Sequence, residues 1–217
     1  LDENSLRSYF SLNNVRGGIF ELSNRLYGLT FRPVQLPVYN EDCETYEVLD
    51  EKNEHLGVLY LDYYPRDGKS GGAWCGEYRP QSFDAEGNRI SPIVSIVCNF
   101  PRPTGGDPAL LSIDETQTFF HEFGHALHGM LAKGKYSSLN GTSVMRDFVE
   151  LPSQIMENWA TEKEYLDLWA KHYQTGEAMP AELVEKIIAA KNYLAAYLNV
   201  RQLSFGMLDM AYHTITS

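Results

Sequence analysis

The chain has 217 residues, of which 43% are hydrophobic and 22% charged, a composition typical of a globular protein with one good core. Its net charge of -11 argues against nucleic acid and anionic membranes as partners, because both bind basic surfaces. No apolar run is long enough to span a membrane, and residues 1–30 lack the basic-then-apolar pattern of a signal peptide. We therefore expect a soluble protein.

The three cysteines are Cys43, Cys75 and Cys98, an odd and widely spaced set without a Cys-x-x-Cys pair. This spacing indicates reduced thiols rather than a disulfide framework or a thiolate metal site. Reduced thiols are typical of the cytoplasm, which is the predicted location of the protein. Cys98 is expected to be a buried packing residue.

The first hundred residues predict helices followed by a small sheet. Apolar positions at helical spacing indicate two short helices over residues 2–28, with a break at Asn13 and Asn14. Runs rich in Val, Ile, Leu and Tyr between turn residues then predict strands over residues 45–49, 56–64 and 93–100. We expect these strands to form an antiparallel sheet.

A glycine-rich segment, Gly71-Gly72-Ala73-Trp74, lies between the second and third predicted strands. It lacks the Gly-x-x-x-x-Gly-Lys-Ser/Thr register of a phosphate-binding loop, so a nucleotide site has little support. Its small residues are typical of a mobile loop that leads to an exposed backbone edge. A plain hairpin in which Trp74 belongs to the core is an equally good interpretation.

Residues 101–108 contain three prolines and two glycines, and such a segment forms neither a helix nor a central strand. It divides the chain into a region of helices and a small sheet, residues 1–105, and a helical region, residues 106–217. A long helix beginning at Pro180 is expected to bury an apolar stripe. The stripe consists of Leu183, Ile187, Leu194, Leu198 and Leu203. The predicted fold class is α+β and mainly helical.

The start of the helical region has the form of a capping box. Ser112 supplies a hydroxyl at the N-cap, and Glu115 supplies a carboxylate three residues later. The helix is therefore predicted to begin near Ile113, and Gly134 is a plausible end.

This helix carries a His-Glu-x-x-His motif at residues 121–125. His121 and His125 are four residues apart, so both lie on one face of a helix and can bind one metal ion. Glu122 lies between them, where its carboxylate can reach a water molecule at the ion. This combination of spacing and chemistry is typical of zinc hydrolases.

A catalytic zinc ion usually has three protein ligands, so a third is expected elsewhere in the chain. Glu150 precedes a predicted helix that has Pro152 in its opening turn, and the helix dipole favours a carboxylate there. Glu157 lies seven residues later on the same face, and is either a rival ligand or a hydrogen-bond partner of one. His128 is two turns from His121, and we expect it to support or pack against the site rather than bind the ion.

Two segments closely resemble the thimet oligopeptidase family of zinc metallopeptidases, which includes oligopeptidase A and the bacterial peptidyl-dipeptidases. They are His-Glu-Phe-Gly-His-Ala-Leu-His at 121–128 and Asp-Phe-Val-Glu-x-Pro-Ser-Gln at 147–154, in the family's order and separation. The resemblance extends to Gly-Gly-Ala-Trp at 71–74 and to the opening Leu-Asp-Glu at 1–3. It implies zincin-like active-site helices and a protein that acts on short peptides.

The resemblance also implies roles for individual residues. It implies one zinc ion per chain bound by His121, His125 and Glu150, with Glu122 as the general base. It further implies that residues 71–73 (Gly71, Gly72 and Ala73) lie beside the substrate cleft, where strand-like pairing holds an extended peptide.

Two functions follow as hypotheses. The first is a zinc peptidase that acts on oligopeptides, either as an endopeptidase or as a dipeptidyl carboxypeptidase. The second is a zinc-stabilised module or pseudoenzyme that binds peptides without cleaving them. The intact Glu122 favours the first, because a purely structural zinc site needs no base.

The family's tyrosine and histidine donors near the C-terminus have no counterpart here, so residues 1–217 are expected to be the central part of a catalytic domain.

Overall fold

The computed structural model describes residues 3–216, so Leu1 and Asp2 of the family-like opening segment lie outside the described residues. The chain divides into two compact units, which within this range are residues 3–179 and 180–216. The first unit contains the sheet and six α-helices, and the second contains two. The predicted fold class, α+β and mainly helical, is confirmed.

The chain begins with helices α1 (Glu3–Arg7) and α2 (Leu12–Tyr27). The break between them precedes Leu12, so its prediction at Asn13 and Asn14 was wrong. The hydroxyl of Ser11 caps α2 by accepting a hydrogen bond from the backbone N–H of Asn14, which draws both asparagines into the first turn. Gly28 ends α2 in the left-handed conformation, with φ at 70°.

In the described part of the chain, seven strands follow α2, and five of them form one sheet in the order β1-β2-β3-β7-β4. The strands of this sheet are β1 (Thr30–Pro33), β2 (Glu44–Leu49), β3 (His55–Asp62), β4 (Trp74–Arg79) and β7 (Ile93–Val97). The other two, β5 (Ser82–Phe83) and β6 (Arg89–Ile90), form a two-stranded ribbon.

The sheet is mixed rather than wholly antiparallel, which corrects one detail of the prediction. β3 and β7 are parallel, whereas the other neighbouring pairs of the sheet are antiparallel. The reason is that β4 and the ribbon lie between β3 and β7 in sequence, and this long connection returns the chain to the same end of the sheet. The three predicted strands correspond to β2, β3 and β7, whereas β1 and β4 were not predicted.

Helix α3 (Ile113–Met130) packs across one face of the sheet. Leu59, Leu61 and Ile96 project from the sheet and are fully buried. The ring of Phe119 on α3 meets Tyr63 just beyond β3, with 5.6 Å between ring centroids. The predicted capping box is present: the hydroxyl of Ser112 accepts a hydrogen bond from the backbone N–H of Glu115, and the carboxylate of Glu115 accepts one from the backbone N–H of Ser112. The helix ends at Met130, before the predicted stop at Gly134.

Three shorter helices complete the first unit: α4 (Arg146–Val149), α5 (Leu151–Asn158) and α6 (Lys163–Trp169). Pro152 lies in the first turn of α5, as predicted, where a missing N–H costs no hydrogen bond. Only Glu150 separates α4 from α5, and its backbone angles, φ -86° and ψ -5°, lie in the right-handed helical region.

The second unit contains α7 (Ala181–Asn192) and α8 (Ala195–His213). The single long helix predicted from Pro180 is interrupted at Leu194, which has a φ of 57°. Leu194, Leu198 and Leu203 are more than half exposed, so the prediction of one continuous buried stripe was wrong. Within residues 3–216, no helix is long and apolar enough to cross a membrane.

Candidate metal centre

His121 and His125 project from adjacent turns of α3, with their ring centroids 4.9 Å apart and their planes nearly perpendicular. One oxygen of Glu150, Oε2, lies 3.2 Å from Nε2 of His121 and 3.1 Å from Nε2 of His125. Among residues 3–216, these three side chains are the group whose potential ligand atoms all lie within 4.8 Å of one another. The helix spacing and the turn before α5 therefore bring three predicted ligands together.

The position of Glu150 is set by the junction of α4 and α5. The hydroxyl of Ser153, in the first turn of α5, lies 2.8 Å from Oε2 of Glu150 and 2.9 Å from its backbone carbonyl oxygen, and these two acceptors share its single proton. The Ser153 hydrogen bond, aided by the nearby histidines, lowers the pKa of Glu150. A carboxylate held this way offers a charged oxygen to a cation.

Gly124, inside the His-Glu-x-x-His motif, allows α5 to approach α3 closely. A Cβ at this position would lie 2.5 Å from the backbone oxygen of Pro152 and 2.5 Å from Cα of Ser153. Both are atoms of the α5 backbone, so a side chain here would push α5 and Glu150 away. The importance of Gly124 was missed from the sequence, although its place between the two histidines is the signal that points to it.

Glu157 contacts the opposite nitrogen of His121 from the one near Glu150. Its Oε1 lies 2.7 Å from Nδ1 of His121. Because a carboxylate accepts hydrogen bonds, Nδ1 of His121 is the donor of this pair, and in the neutral ring the lone pair is then on Nε2. The structure thus brings Glu157 to a ligand, rather than into the group of ligand atoms itself.

These contacts fit a bound zinc ion. Nε2 of His121 and Nε2 of His125 lie 3.2 and 3.1 Å from the same carboxylate oxygen of Glu150, so one cation can contact all three ligand atoms. Burial lowers the pKa of His125, which keeps this imidazole neutral as a metal ligand must be. Two imidazole nitrogens and one carboxylate oxygen are a common ligand set of catalytic zinc, with a fourth position left open.

Glu122 is only 7% exposed and lies between the metal group and strand β4. Burial raises the pKa of Glu122, and the negative Glu150 adds to this, while His121 and the backbone N–H of Cys75 on β4 act in the other direction. The Cys75 contact was not foreseen. It links the glutamate of the motif to an edge strand that was itself not predicted.

Burial raises the pKa of Cys75, and the nearby Glu122 carboxylate raises it further. Burial also raises the pKa of Cys98, which is fully enclosed, as expected for a packing residue. The two thiols are therefore poor nucleophiles and poor metal ligands at neutral pH.

His128 lies outside the metal group and packs against Phe148, with 6.1 Å between ring centroids. Burial lowers the pKa of His128. Its Nδ1 is buried and has no hydrogen-bond partner among the described residues. The contact with Phe148 places His128 against α4, and its role at the site stays a prediction.

Gly71, Gly72 and Ala73 lead directly into β4, and Gly72 has a φ of 88° that favours glycine. The side-chain amide of Asn99 donates to the carbonyl of Gly72 at 2.7 Å and to that of Ser70 at 3.0 Å, which fixes this turn. Trp74 is 39% exposed, and β4 pairs with β7 rather than forming a hairpin with β3. The interpretation of this segment as a plain hairpin with a core tryptophan was therefore wrong.

Strand β4 lies at the edge of the sheet, and no described strand pairs with its other side.

A family profile described as "Peptidase family M3" matches residues 1–217. The chain belongs to peptidase family M3. The resemblance to oligopeptidases inferred from the two motifs is thereby confirmed.

Curated members of the M3 family are similar over nearly the whole chain. Dipeptidyl carboxypeptidase from Escherichia coli is 43% identical over 99% of this chain and 31% of its own length. Oligopeptidase A from the same organism is 45% identical over 98% of this chain and 32% of its own length. A thimet-like oligopeptidase from Dictyostelium discoideum is 38% identical over 99% of this chain and 32% of its own length. The chain thus spans about a third of the length of these M3 relatives.

Proposed function

We propose that this chain carries the catalytic centre of a zinc-dependent peptidase that hydrolyses peptide bonds in short peptides. The observation that carries this proposal is the convergence of His121, His125 and Glu150 on one point, with the Glu122 carboxylate beside it. Relatives named oligopeptidase A and dipeptidyl carboxypeptidase support the class of substrate.

In this proposal, His121 and His125 bind one zinc ion through Nε2, and Glu150 binds it through Oε2. Glu157 holds the ring of His121 in position by accepting a hydrogen bond from Nδ1. Zinc bound here would lower the pKa of a water molecule towards about 7 and polarise the peptide carbonyl.

Glu122 acts as the general base. Its carboxylate takes a proton from the attacking water and then delivers it to the nitrogen of the leaving amine. This carboxylate lies close to the backbone N–H of Cys75 on β4, which acts to lower the pKa of Glu122.

The free edge of β4 is the proposed substrate-binding site. An extended peptide pairing with this edge would add a strand to the sheet, which is a common mode of peptide recognition. The turn containing Gly71, Gly72 and Ala73 sets where the edge begins, and Asn99 holds that turn. In this scheme residues 1–105 supply the peptide-binding strand, and residues 106–217 supply the ligands and the base.

Glu122→Gln separates catalysis from binding. The change keeps the size of the side chain and removes the base, so in the full-length natural protein turnover should fall by roughly a hundredfold or more. Zinc content by metal analysis and peptide affinity should both be preserved. The assay is hydrolysis of an internally quenched peptide library, with the unsubstituted protein as control.

Unchanged turnover in Glu122→Gln would contradict the mechanism. A protein that binds zinc and peptides but never cleaves them would instead be the peptide-binding module that stands as the alternative function. The intact glutamate favours the peptidase, because zinc held only for structure needs no neighbouring base.

A further inference from the structure

The face of the sheet opposite α3 carries a small pocket beside the β4 edge. The register aligns Trp74 with Val97 and then with Asp62 across three strands, so these side chains share one face. The neighbouring register aligns Cys75 with Ile96 and Leu61, which face α3. The pocket has a volume of about 290 Å³ and lies on the Trp74 side.

The floor of the pocket is an ionic cluster in which cations outnumber anions. Asp62 is 1% exposed and pairs with Arg66 at 2.8 Å and with Lys69 at 2.9 Å. The hydroxyl of Tyr39 donates to the same carboxylate at 2.9 Å. Two cations against one carboxylate leave one positive charge, in a chain whose net charge is -11.

Arg66 is the cation of this cluster that can reach a ligand. The ammonium group of Lys69 already donates to Asp62 and to the carbonyl of Tyr64, and its side chain is only 3% exposed. The guanidinium of Arg66 uses NH1 and NH2 on Asp62, and its side chain is 26% exposed. A guanidinium has five N–H donors, so donors remain for a second acceptor.

The pocket lies on the face of β4 from which a peptide bound at the strand edge could reach it. Gly76 is opposite Ser95 on the pocket face, and Trp74 lies two residues before it on the same face. A Cβ at Gly76 would meet only the hydroxyl of Ser95, at 3.4 Å, so the strand is open here. In a peptide paired with the β4 edge, the residue opposite Gly76 would point its side chain towards the pocket.

We propose that this pocket is a subsite for a carboxylate of the bound peptide, which Arg66 recognises. The inference rests on the proposed function, since it requires a peptide along β4. The carboxylate is either an acidic side chain opposite Gly76 or the C-terminus of the peptide. Both have the planar pair of oxygens that suits a guanidinium.

The test measures peptide affinity in the zinc-loaded, full-length natural protein carrying Glu122→Gln, in which cleavage is suppressed. One peptide series replaces glutamine by glutamate at each position in turn, and a second pairs a free C-terminus with its amide. We expect one glutamate peptide to bind about fivefold more tightly than its glutamine counterpart, or the peptide with a free C-terminus to bind about fivefold more tightly than its amide. Fivefold is the scale of a partly exposed ion pair.

Arg66→Gln should bring this ratio close to one, because glutamine can still donate to Asp62 but carries no charge. Arg66→Lys should retain part of the preference. Arg66 lies over the ring of Tyr39 as well as pairing with Asp62. The matched control is Arg102→Gln, because Arg102 likewise pairs with Asp42 and lies over a tyrosine ring, but outside the pocket. This control should keep the full preference.

A preference that persists in Arg66→Gln would overturn the assignment, as would equal affinities in both peptide series. If Arg66→Gln fails to fold, a salt series on the parent protein decides: the preference should shrink between about 0.05 and 0.5 M salt, as screening increases. A salt-independent preference would count against an ion pair. Absence of cleavage by the protein with Glu122 intact would contradict the proposed peptidase function, but not this comparison of affinities.

Discussion

At the scale of single residues, the two glutamates near His121 have different contacts. Glu150 shares one oxygen between Nε2 of His121 and Nε2 of His125, at 3.2 and 3.1 Å. Glu157 contacts only Nδ1 of His121, on the other side of the ring. A single metal ion can be bound by the first of these carboxylates together with both histidines. In the proposed mechanism, the second carboxylate orients His121 instead.

Zinc affinity is the measurement that separates these two roles. Glu150→Ala removes a ligand, so we expect zinc affinity to fall by more than about a hundredfold. Glu157→Ala removes only the orienting hydrogen bond and should cost roughly 10- to 100-fold. Competition with a chromophoric chelator measures both variants against the unsubstituted protein. Equal or reversed losses would make Glu157 the third ligand.

At the scale of secondary-structure elements, the metal group depends on how closely α5 packs against α3. Glu150 is attached to the start of α5, whereas the histidines project from α3. The distance between the two helices therefore sets the distance between the ligands. Gly124 is the residue of α3 that permits this spacing, because the backbone of α5 occupies the place of a side chain.

Gly124→Ala tests this dependence. The added methyl group would overlap the backbone at Pro152 and Ser153, so the helices must separate. We expect the free energy of unfolding to fall by about 1–3 kcal/mol, the usual cost of overpacking, and zinc affinity to fall with it. Urea unfolding of the metal-free protein and chelator competition provide the two readouts.

The matched control is Gly17→Ala in α2, where an added Cβ meets nothing within 4 Å. Alanine is the better helix former, so this variant should gain about 0.5–1 kcal/mol and keep its zinc affinity. If Gly124→Ala behaved like Gly17→Ala in both measurements, the close approach of the helices would not be what positions Glu150.

At the scale of the whole molecule, the cysteines bear on the compartment of the protein. Cys43, Cys75 and Cys98 are all free thiols, and Cys98 is buried. Free thiols persist where the compartment is reducing, so the cytoplasmic location expected from the sequence stays a prediction that the state of these thiols can test. A relative from Arabidopsis thaliana is named as a probable cytosolic oligopeptidase A, whereas another from that plant is named as organellar.

Thiol titration tests this assignment. When protein isolated without a reductant is unfolded and labelled, Cys43, Cys75 and Cys98 should each react, because none is paired in the structure. In the folded protein Cys98 should react far more slowly than it does after unfolding, because burial excludes the reagent and raises the pKa of this thiol. A single thiol after unfolding would reveal a disulfide and contradict the assignment to the cytoplasm.

Local features of this chain could be read directly from its sequence. The capping box at Ser112 sets where α3 begins, and helical spacing then places His121 and His125 on one face. Pro152 in the same way marks the first turn of α5. These features depend on residues within a few positions of one another, so the backbone geometry of one helix is enough to predict them.

Only the tertiary structure decided how distant segments meet. It brought Glu150 rather than Glu157 into the metal group, because the packing at Gly124 sets that distance. It also placed β4 at the edge of the sheet beside Glu122, although the residues of β4 show no clear alternation of apolar and polar side chains that would predict a strand. It also made β3 and β7 parallel. Strand pairing and helix packing join residues that are far apart in sequence, and no local pattern encodes these distances.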